Sequence, residues 1–295
     1  MKIFKKFYFE KYEFDLEEKK AYFYYSFDES YFFEEIIDLS SDKFFIREKI
    51  DFKVLDNILF HVHIALWISY YKSFPTPNLY IKSGYLDDFQ IDFWKNFYSL
   101  WLWEFLFVNN LDHKWLFNFI NLDWDKKEKV DFTVSEKAII PIWWWKDSLV
   151  SIDLFEKSSL DFDLYVFWKN DSIKQNCADI IWKEILLTKR IISKNLIELN
   201  NFWNYNWHVP ITGIISFVMI LVWYLYNYKY LVLSNEKSAN FWNTDFNWLD
   251  VNHQYSKSLN YEKDFSEYIS YSIWNQIKYF SLLRWFYEIK IAEYF

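Results

Sequence analysis

Two halves of different class are predicted: an α+β region over residues 1–130, then an α/β region with a parallel sheet over 131–295. Three observations predict this. Apolar and polar residues alternate with a period of two through residues 3–38, as in half-buried antiparallel strands. A charged stretch, DWDKKEKVDFTVSEK (123–137), interrupts the pattern as a surface linker would. Beyond it, short and continuously apolar runs such as AIIPI (138–142) and DLYVF (163–167) alternate with helical segments, the pattern of parallel strands joined by crossovers.

Taken in order, KIFKKFYFEKYEFDL, KAYFYYSFD and YFFEEIIDL, separated by LEEKK and DES, read as an antiparallel meander. From Asp51 to Tyr71 the spacing of Val54, Ile58, Leu59, Val62, Leu66 and Ser69 predicts a helix with one apolar face, ending before SFPTP. A second helix is predicted from Asp87 to Phe107. AIIPI runs into WWWKDS and the helical LVSIDLFEK, and YLVLS (230–234) is a later strand. The one long apolar run, Ile211 to Tyr226, falls short of the roughly 20 residues that span a bilayer and reads as a buried helix. Charges interrupt every apolar run near the N-terminus, so no signal peptide and no membrane span are predicted, and a cytoplasmic setting is expected.

Composition is unusual in one respect. At about 7% usage a chain of this length would carry about 21 glycines; it has 2, but 18 tryptophans, together 20. Only Arg47, Arg190 and Arg284 are arginine among 33 basic residues, and residues with A/T-rich codons dominate. These biases point to a source in which UGA encodes glycine, translated here as tryptophan. The alternative, genuine tryptophans in an aromatic core, leaves few residues that accept positive φ cheaply. Net charge is −8, which argues against a general nucleic-acid binder. A single cysteine, Cys177, excludes a disulfide framework, predicts a reducing compartment and has no redox motif around it. His61 and His63 diverge on the predicted helix and lack a third ligand at a diagnostic spacing.

With Trp143, Trp144 and Trp145 read as glycine, AIIPIWWWKDSLVSIDL becomes a buried strand, three glycines and an amphipathic helix opened by Lys146, Asp147 and Ser148. Bare backbone entering a helix N-terminus suits a phosphate. Lys146 adds a point charge, Ser148 a hydroxyl, and Asp147 a carboxylate that caps the helix or supports Mg²⁺. An ordinary capped strand-to-helix turn remains the plain alternative.

This stretch resembles the pyrophosphate-binding loop of the PP-loop ATP pyrophosphatase superfamily. With NWHVPITGIISF (206–217), YLVLSNEKSAN (230–240), VNHQYSKSL (251–259) and YFSLLR (279–284) in that order, the chain resembles the ATP-dependent epimerases of UDP-N-acetylmuramoyl-L-alanyl-L-glutamate. LWISYYK (66–72) and SLWLWEFLFVNNLD (99–112) fit once Trp67, Trp101 and Trp103 are read as glycine; Trp143–145, Trp207, Trp242 and Trp248 are likewise departures where the pattern has or tolerates glycine. The resemblance implies a Rossmann-like PP-loop domain over 131–295, with ATP and Mg²⁺ as cofactors and the muramoyl dipeptide as partner. It also implies further chain beyond Phe295.

Site expectations follow. ATP contacts are expected at residues 143–148 and at Asn235, Glu236 and Ser238, with Asp147 and Glu236 on Mg²⁺. His208, Gln254, Ser256, Ser258 and Arg284 are expected at the substrate. His253, Tyr255 and Lys257 are candidates for proton transfer and charge, because they lie in a polar loop and because His and Tyr can exchange protons. For the 235–240 and 253–258 segments the plain readings are a polar turn with local caps and a solvated loop. Two other functions stay open: another PP-loop enzyme, modifying RNA or amidating, and a non-catalytic aromatic-rich protein if the tryptophans are genuine.

Overall fold

The period-two stretch folds as three antiparallel strands, β1 (Lys6–Asp15), β2 (Lys20–Phe27) and β3 (Tyr31–Asp38), in register Phe7↔Phe27 and Ala21↔Ile37. The protein is seen in a computed structural model that describes residues 4–40, 46–112, 115–142, 146–199, 205, 209–241, 244–246, 249–251 and 255–295. Its contacts divide it into unit 1 (Met1–Asp38, Phe52–Lys129, Arg190–Phe217) and unit 2 (Leu39–Asp51, Val130–Lys189, Val218–Phe295).

In unit 1 the inward residues Phe7, Phe9, Phe23, Tyr25 and Phe27 have no exposed surface, as alternation on a one-sided sheet requires. The β2–β3 turn is made by Asp28 and Glu29, both with positive φ (49° and 51°), so a tight hairpin forms here without glycine. β4 (Asn78–Ile81) pairs parallel to β1, and β5 (Asn118–Asn121) parallel to β4. The predicted 51–71 helix is α1 (Phe52–Leu66) and α2 (Ile68–Tyr71), broken at Trp67; the 87–107 helix is α3 (Asp88–Trp101), opened by an Asp87/Gln90 capping box, and α4 (Trp103–Val108).

One expectation is corrected here: the Ile211–Tyr226 run is not the one long apolar stretch. Phe52–Tyr71, at 20 residues, is long and apolar enough to cross a bilayer by length and composition. Most of it is buried in unit 1, where Trp67 packs 5.4 Å from Phe7 and Phe9 and 5.0 Å from Tyr98. Helices α7 (Lys194–Leu199) and the start of α8 (Ile211–Leu225) complete unit 1.

Unit 2 carries the parallel strands. β6 (Ala138–Pro141), β7 (Phe162–Phe167), β8 (Ile185–Ile191), β9 (Tyr230–Leu233) and β12 (Lys278–Ser281) run in the order β12-β9-β6-β7-β8, every pair parallel. Crossovers include α5 (Lys146–Ser158), α6 (Ser172–Ile180) and α9 (Leu259–Ser272). β10 (Thr244–Phe246) and β11 (Leu249–Val251) form a separate antiparallel ribbon, and α10 (Glu288–Tyr294) follows β12. Ala138, Ile140, Ile152, Phe155, Leu164, Val166 and Val232 form a continuous core cluster. The architecture is therefore α/β, with a meander in unit 1 and a parallel sheet in unit 2.

Two tryptophans of unit 2 sit in backbone that favours glycine. Trp182 (φ 54°) follows α6 in a Schellman arrangement: its N–H donates to Asp179 O (3.2 Å) and the Lys183 N–H donates to Ala178 O (3.0 Å). Its indole is 93% exposed, so no packing repays that conformation. Trp168 (φ 83°), just after β7, is half exposed. By contrast Trp67, Trp94 and Trp223 are wholly buried. A Cβ at Gly84 would lie 2.8 Å from the Phe60 ring, so that glycine answers a close approach.

Candidate functional site

In unit 2 the connections run from β6 outward to β7 and β8 on one side, while β9 and β12 lie on the other. The strand order thus reverses between β6 and β9, and a crevice opens outside the carboxyl ends of two such strands because their connections leave in opposite directions. Lys146 and Asp147 follow β6, Asn235 and Glu236 follow β9, and Arg284 follows β12.

Lys146 opens α5, and its Nζ lies 2.8 Å from Glu288 Oε1 on α10 and 3.7 Å from Asp147 Oδ1. The Glu288 contact holds the Lys146 ammonium above its ordinary proton affinity. Asp147 is raised above the usual carboxylate range, first by desolvation, with Lys146 and Lys257 opposing and Glu288 reinforcing. Glu236 is raised by desolvation and then by the Asp147 and Glu288 charges, again opposed by Lys146 and Lys257. Two ammoniums and three carboxylates therefore share one field. Asp147 Oδ1 and Glu236 Oε2 are buried without a hydrogen-bond partner among the described residues.

Arg284, expected at the substrate, is engaged by neighbouring protein groups. It is 3% exposed; Nη2 donates to Glu262 Oε2 (2.8 Å) and Ser281 Oγ (3.1 Å), and Nη1 to Lys257 O (3.0 Å), Glu236 O (3.3 Å) and Asn240 Oδ1 (3.3 Å). It fastens the 236–240 turn and the 255–258 turn to β12. Asn235 Nδ2 donates to Ser281 Oγ (3.1 Å), tying β9 to β12. The Tyr255 hydroxyl donates to Asp264 Oδ2 (2.7 Å), and burial, reinforced by Asp264, pushes its proton affinity up, so it holds its proton. Ser258 caps α9 by accepting from Tyr261 N (3.1 Å). Ser148 and Ser256 are buried, and Ser238 lies in the turn Lys237–Asn240. Trp143, Trp144, Trp145, His208, His253 and Gln254 lie outside the described residues.

Sequence reasoning missed Glu262, Ser281 and Glu288. Ser281 stands inside YFSLLR but was given no role, and Glu262 and Glu288 look like ordinary helix-surface acids until the tertiary fold brings them to Arg284 and Lys146. No cluster of three His, Cys, Asp or Glu side chains that would bind a metal unaided exists among the described residues. Asp147 and Glu236, each with a buried oxygen that makes no hydrogen bond among the described residues, instead fit a hard cation shared with phosphate oxygens and water, which is how Mg²⁺ is usually held. His61 and His63 are buried on α1, where desolvation pushes both down to about 3, so they are neutral. The His63 nitrogens sit 3.1 Å from Ser83 Oγ and 3.1 Å from Tyr24 O.

The family model described as the MurL N-terminal domain matches residues 1–282. The chain is 28% identical over 235 residues to the UDP-N-acetyl-alpha-D-muramoyl-L-alanyl-L-glutamate epimerase of Xanthomonas oryzae pv. oryzae, covering 79% of this chain and 52% of the relative. It is 27% identical over 243 residues to the protein of the same name from Salinispora tropica, covering 82% and 52%. A Micromonospora protein, also so named, is 30% identical over 155 residues, 51% of this chain and 33% of the relative. The chain thus spans about half the length of the two curated relatives it matches most extensively. No solved structure matches.

Proposed function

The chain belongs to the MurL N-terminal domain family, and on that premise we propose that it provides the nucleotide-binding part of an ATP-dependent epimerase acting on the terminal L-glutamate of UDP-N-acetylmuramoyl-L-alanyl-L-glutamate. The reading is supported chiefly by one observation: Lys146, Asp147, Glu236 and Lys257 share one electrostatic cluster at the reversal of strand order in unit 2. Crevices at such positions bind nucleotides in open α/β sheets, and a helix opening with a lysine suits a pyrophosphate. We therefore read unit 2 as a PP-loop domain.

The chemistry has a physical reason. An α-proton beside an ionised carboxylate is a very weak acid, because deprotonation would place two negative charges side by side. In the proposed reaction a substrate carboxylate oxygen attacks the α-phosphorus of ATP and pyrophosphate leaves. The resulting acyl phosphate is uncharged at the carbonyl, so a general base can take the α-proton. Return of a proton to the opposite face inverts the centre, and water then releases AMP and the D-glutamyl carboxylate.

Lys146 would hold the pyrophosphate by a charge-assisted hydrogen bond once freed from Glu288. Asp147 and Glu236 would hold Mg²⁺, which supplies charge neutralisation on the phosphates. Arg284 acts as a positioning residue, keeping the two turns that carry Glu236 and Lys257 in place. His253 and Tyr255 stay the candidates for proton transfer, and Lys257 for charge. ATP and a nucleotide-linked precursor as reactants fit a cytoplasmic setting.

The test measures AMP and pyrophosphate release by protein made with UGA read as glycine, supplied with the muramoyl dipeptide substrate or with tRNA. Release with the dipeptide alone is expected, and stimulation by tRNA alone sinks the epimerase reading.

A further inference from the structure

We propose that the rim of the unit 2 crevice carries a stacking subsite for a nucleobase, formed by Phe241 and Tyr287, which receives the base of the nucleotide whose phosphates lie at Lys146. This rests on the nucleotide-binding reading above and adds a second contact to it. Both rings are exposed, Phe241 by 53% and Tyr287 by 47%, in a neighbourhood where Phe286 and Ile289 are exposed as well. Exposed apolar side chains gathered at neighbouring positions mark interaction sites more often than scattered single residues do. The planes of Phe241 and Tyr287 lie within 10° of parallel with centroids 6.4 Å apart, so the two flat faces share one orientation. Lys237 Nζ stands 4.4 Å from the centroid of the Tyr287 ring, over the π-face.

Two ties fix this shelf beside the phosphate cluster. The Lys237 N–H donates to Phe286 O (2.8 Å), joining the turn after β9 to the segment after β12. Glu288, the residue following Tyr287, reaches Lys146 at 2.8 Å. One chain segment thus presents a ring and, at the next residue, touches the phosphate-seat lysine. A nucleotide needs that juxtaposition, because a single ribose separates its flat base from its phosphates, and base–aromatic stacking accepts any base. Trp285 is also exposed, and the shelf is complete without it.

The experiment is calorimetric titration of the full chain and of its Phe241→Leu/Tyr287→Leu variant with ADP, UDP and inorganic pyrophosphate, with the two single variants in reserve should the double variant melt early. Roughly tenfold weaker binding of a nucleotide, with pyrophosphate affinity unchanged, is expected. Loss for ADP alone assigns the shelf to adenine, loss for UDP alone to uracil, and loss for both to unselective stacking. Nucleotide affinity that does not move while pyrophosphate still binds overturns the shelf and leaves the crevice standing. Equal loss of pyrophosphate overturns it too, since the variant would then act on the phosphate seat. A parent protein that binds none of the three overturns the crevice reading itself.

Discussion

In unit 1, Arg190 Nε and Glu35 Oε1 lie 2.6 Å apart with neither side chain exposed, and Arg190 Nη2 donates to Ser69 Oγ at 2.7 Å. In unit 2, Lys146 and Asp147 are about a quarter exposed, and Lys146 leans on a Glu288 that is 62% exposed. The first pair is surrounded by Tyr25 and Tyr70, whose hydroxyls are pushed well up by desolvation. It has nowhere to go. Both groups keep buried polar atoms without a hydrogen bond, Glu35 Oε2 and Arg190 Nη1 in the first, Asp147 Oδ1 and Glu236 Oε2 in the second, but the second lies at strand ends and its ammonium is held by an exposed ion pair that contributes about 0–1 kcal/mol. Charge locked in a core serves folding, whereas charge left half-paired at a crevice is available to a ligand.

The largest expected effect breaks that comparison on the unit 1 side. Arg190→Met leaves Glu35 buried and unpaired and should cost about 3–5 kcal/mol in denaturant unfolding, with Arg190→Met/Glu35→Leu recovering most of it. A cost under about 1 kcal/mol would make the two clusters alike. Next, Lys146→Ala should weaken pyrophosphate binding by about tenfold or more, the value of a charged hydrogen bond, while leaving stability within about 0.5 kcal/mol. A large stability loss with unchanged binding would reverse its assignment.

A smaller effect concerns the tryptophans. Trp182→Gly should stabilise the protein by about 1 kcal/mol, because an L side chain in left-handed backbone is strained and this indole buries nothing; Trp182→Ala should gain little. The smallest effect is in pH. The proton affinities of Asp147 and Glu236 are raised in the folded state, so the stability they confer is present below the unfolded carboxylate range and lost as pH rises through their folded values. Asp147→Asn/Glu236→Gln should therefore melt higher than the parent at pH 7, with the difference vanishing near pH 3. A parent that melts higher at pH 7 would show the carboxylates to be favourably paired.

Much of the local structure is legible in the sequence. The period of two over residues 3–38 specifies the strands of the meander, and a register shift between Phe9 and Lys11, which the period does not show, turns Lys11 and Glu13 away from the face of Phe7 and Phe9. The apolar runs at 138–142, 163–167 and 230–234 become adjacent parallel strands for the same reason of two-sided burial. The candidate site was legible only where it follows a strand directly, at Lys146, Asp147 and Glu236. The ties of Arg284 were not legible because its partner Glu262 is 22 residues away on α9 and carries no local sign of the pairing. Tyr255 and Ser258 read as a polar loop, yet one hydroxyl is spent on Asp264 and the other on the first turn of α9.

By itself the sequence determined which segments become strands and helices, that glycine is missing where left-handed backbone is needed, and that a lysine opens the helix after β6. These are matters of periodicity and backbone sterics, which act over a few residues. The tertiary structure alone decided the order β12-β9-β6-β7-β8, the return of Arg190–Phe217 to unit 1 and the meeting of Glu288 with Lys146. Such choices depend on contacts between segments distant in the chain, 142 residues apart for Lys146 and Glu288, whose free energy is set by the packing of the assembled core and leaves no mark on either segment alone.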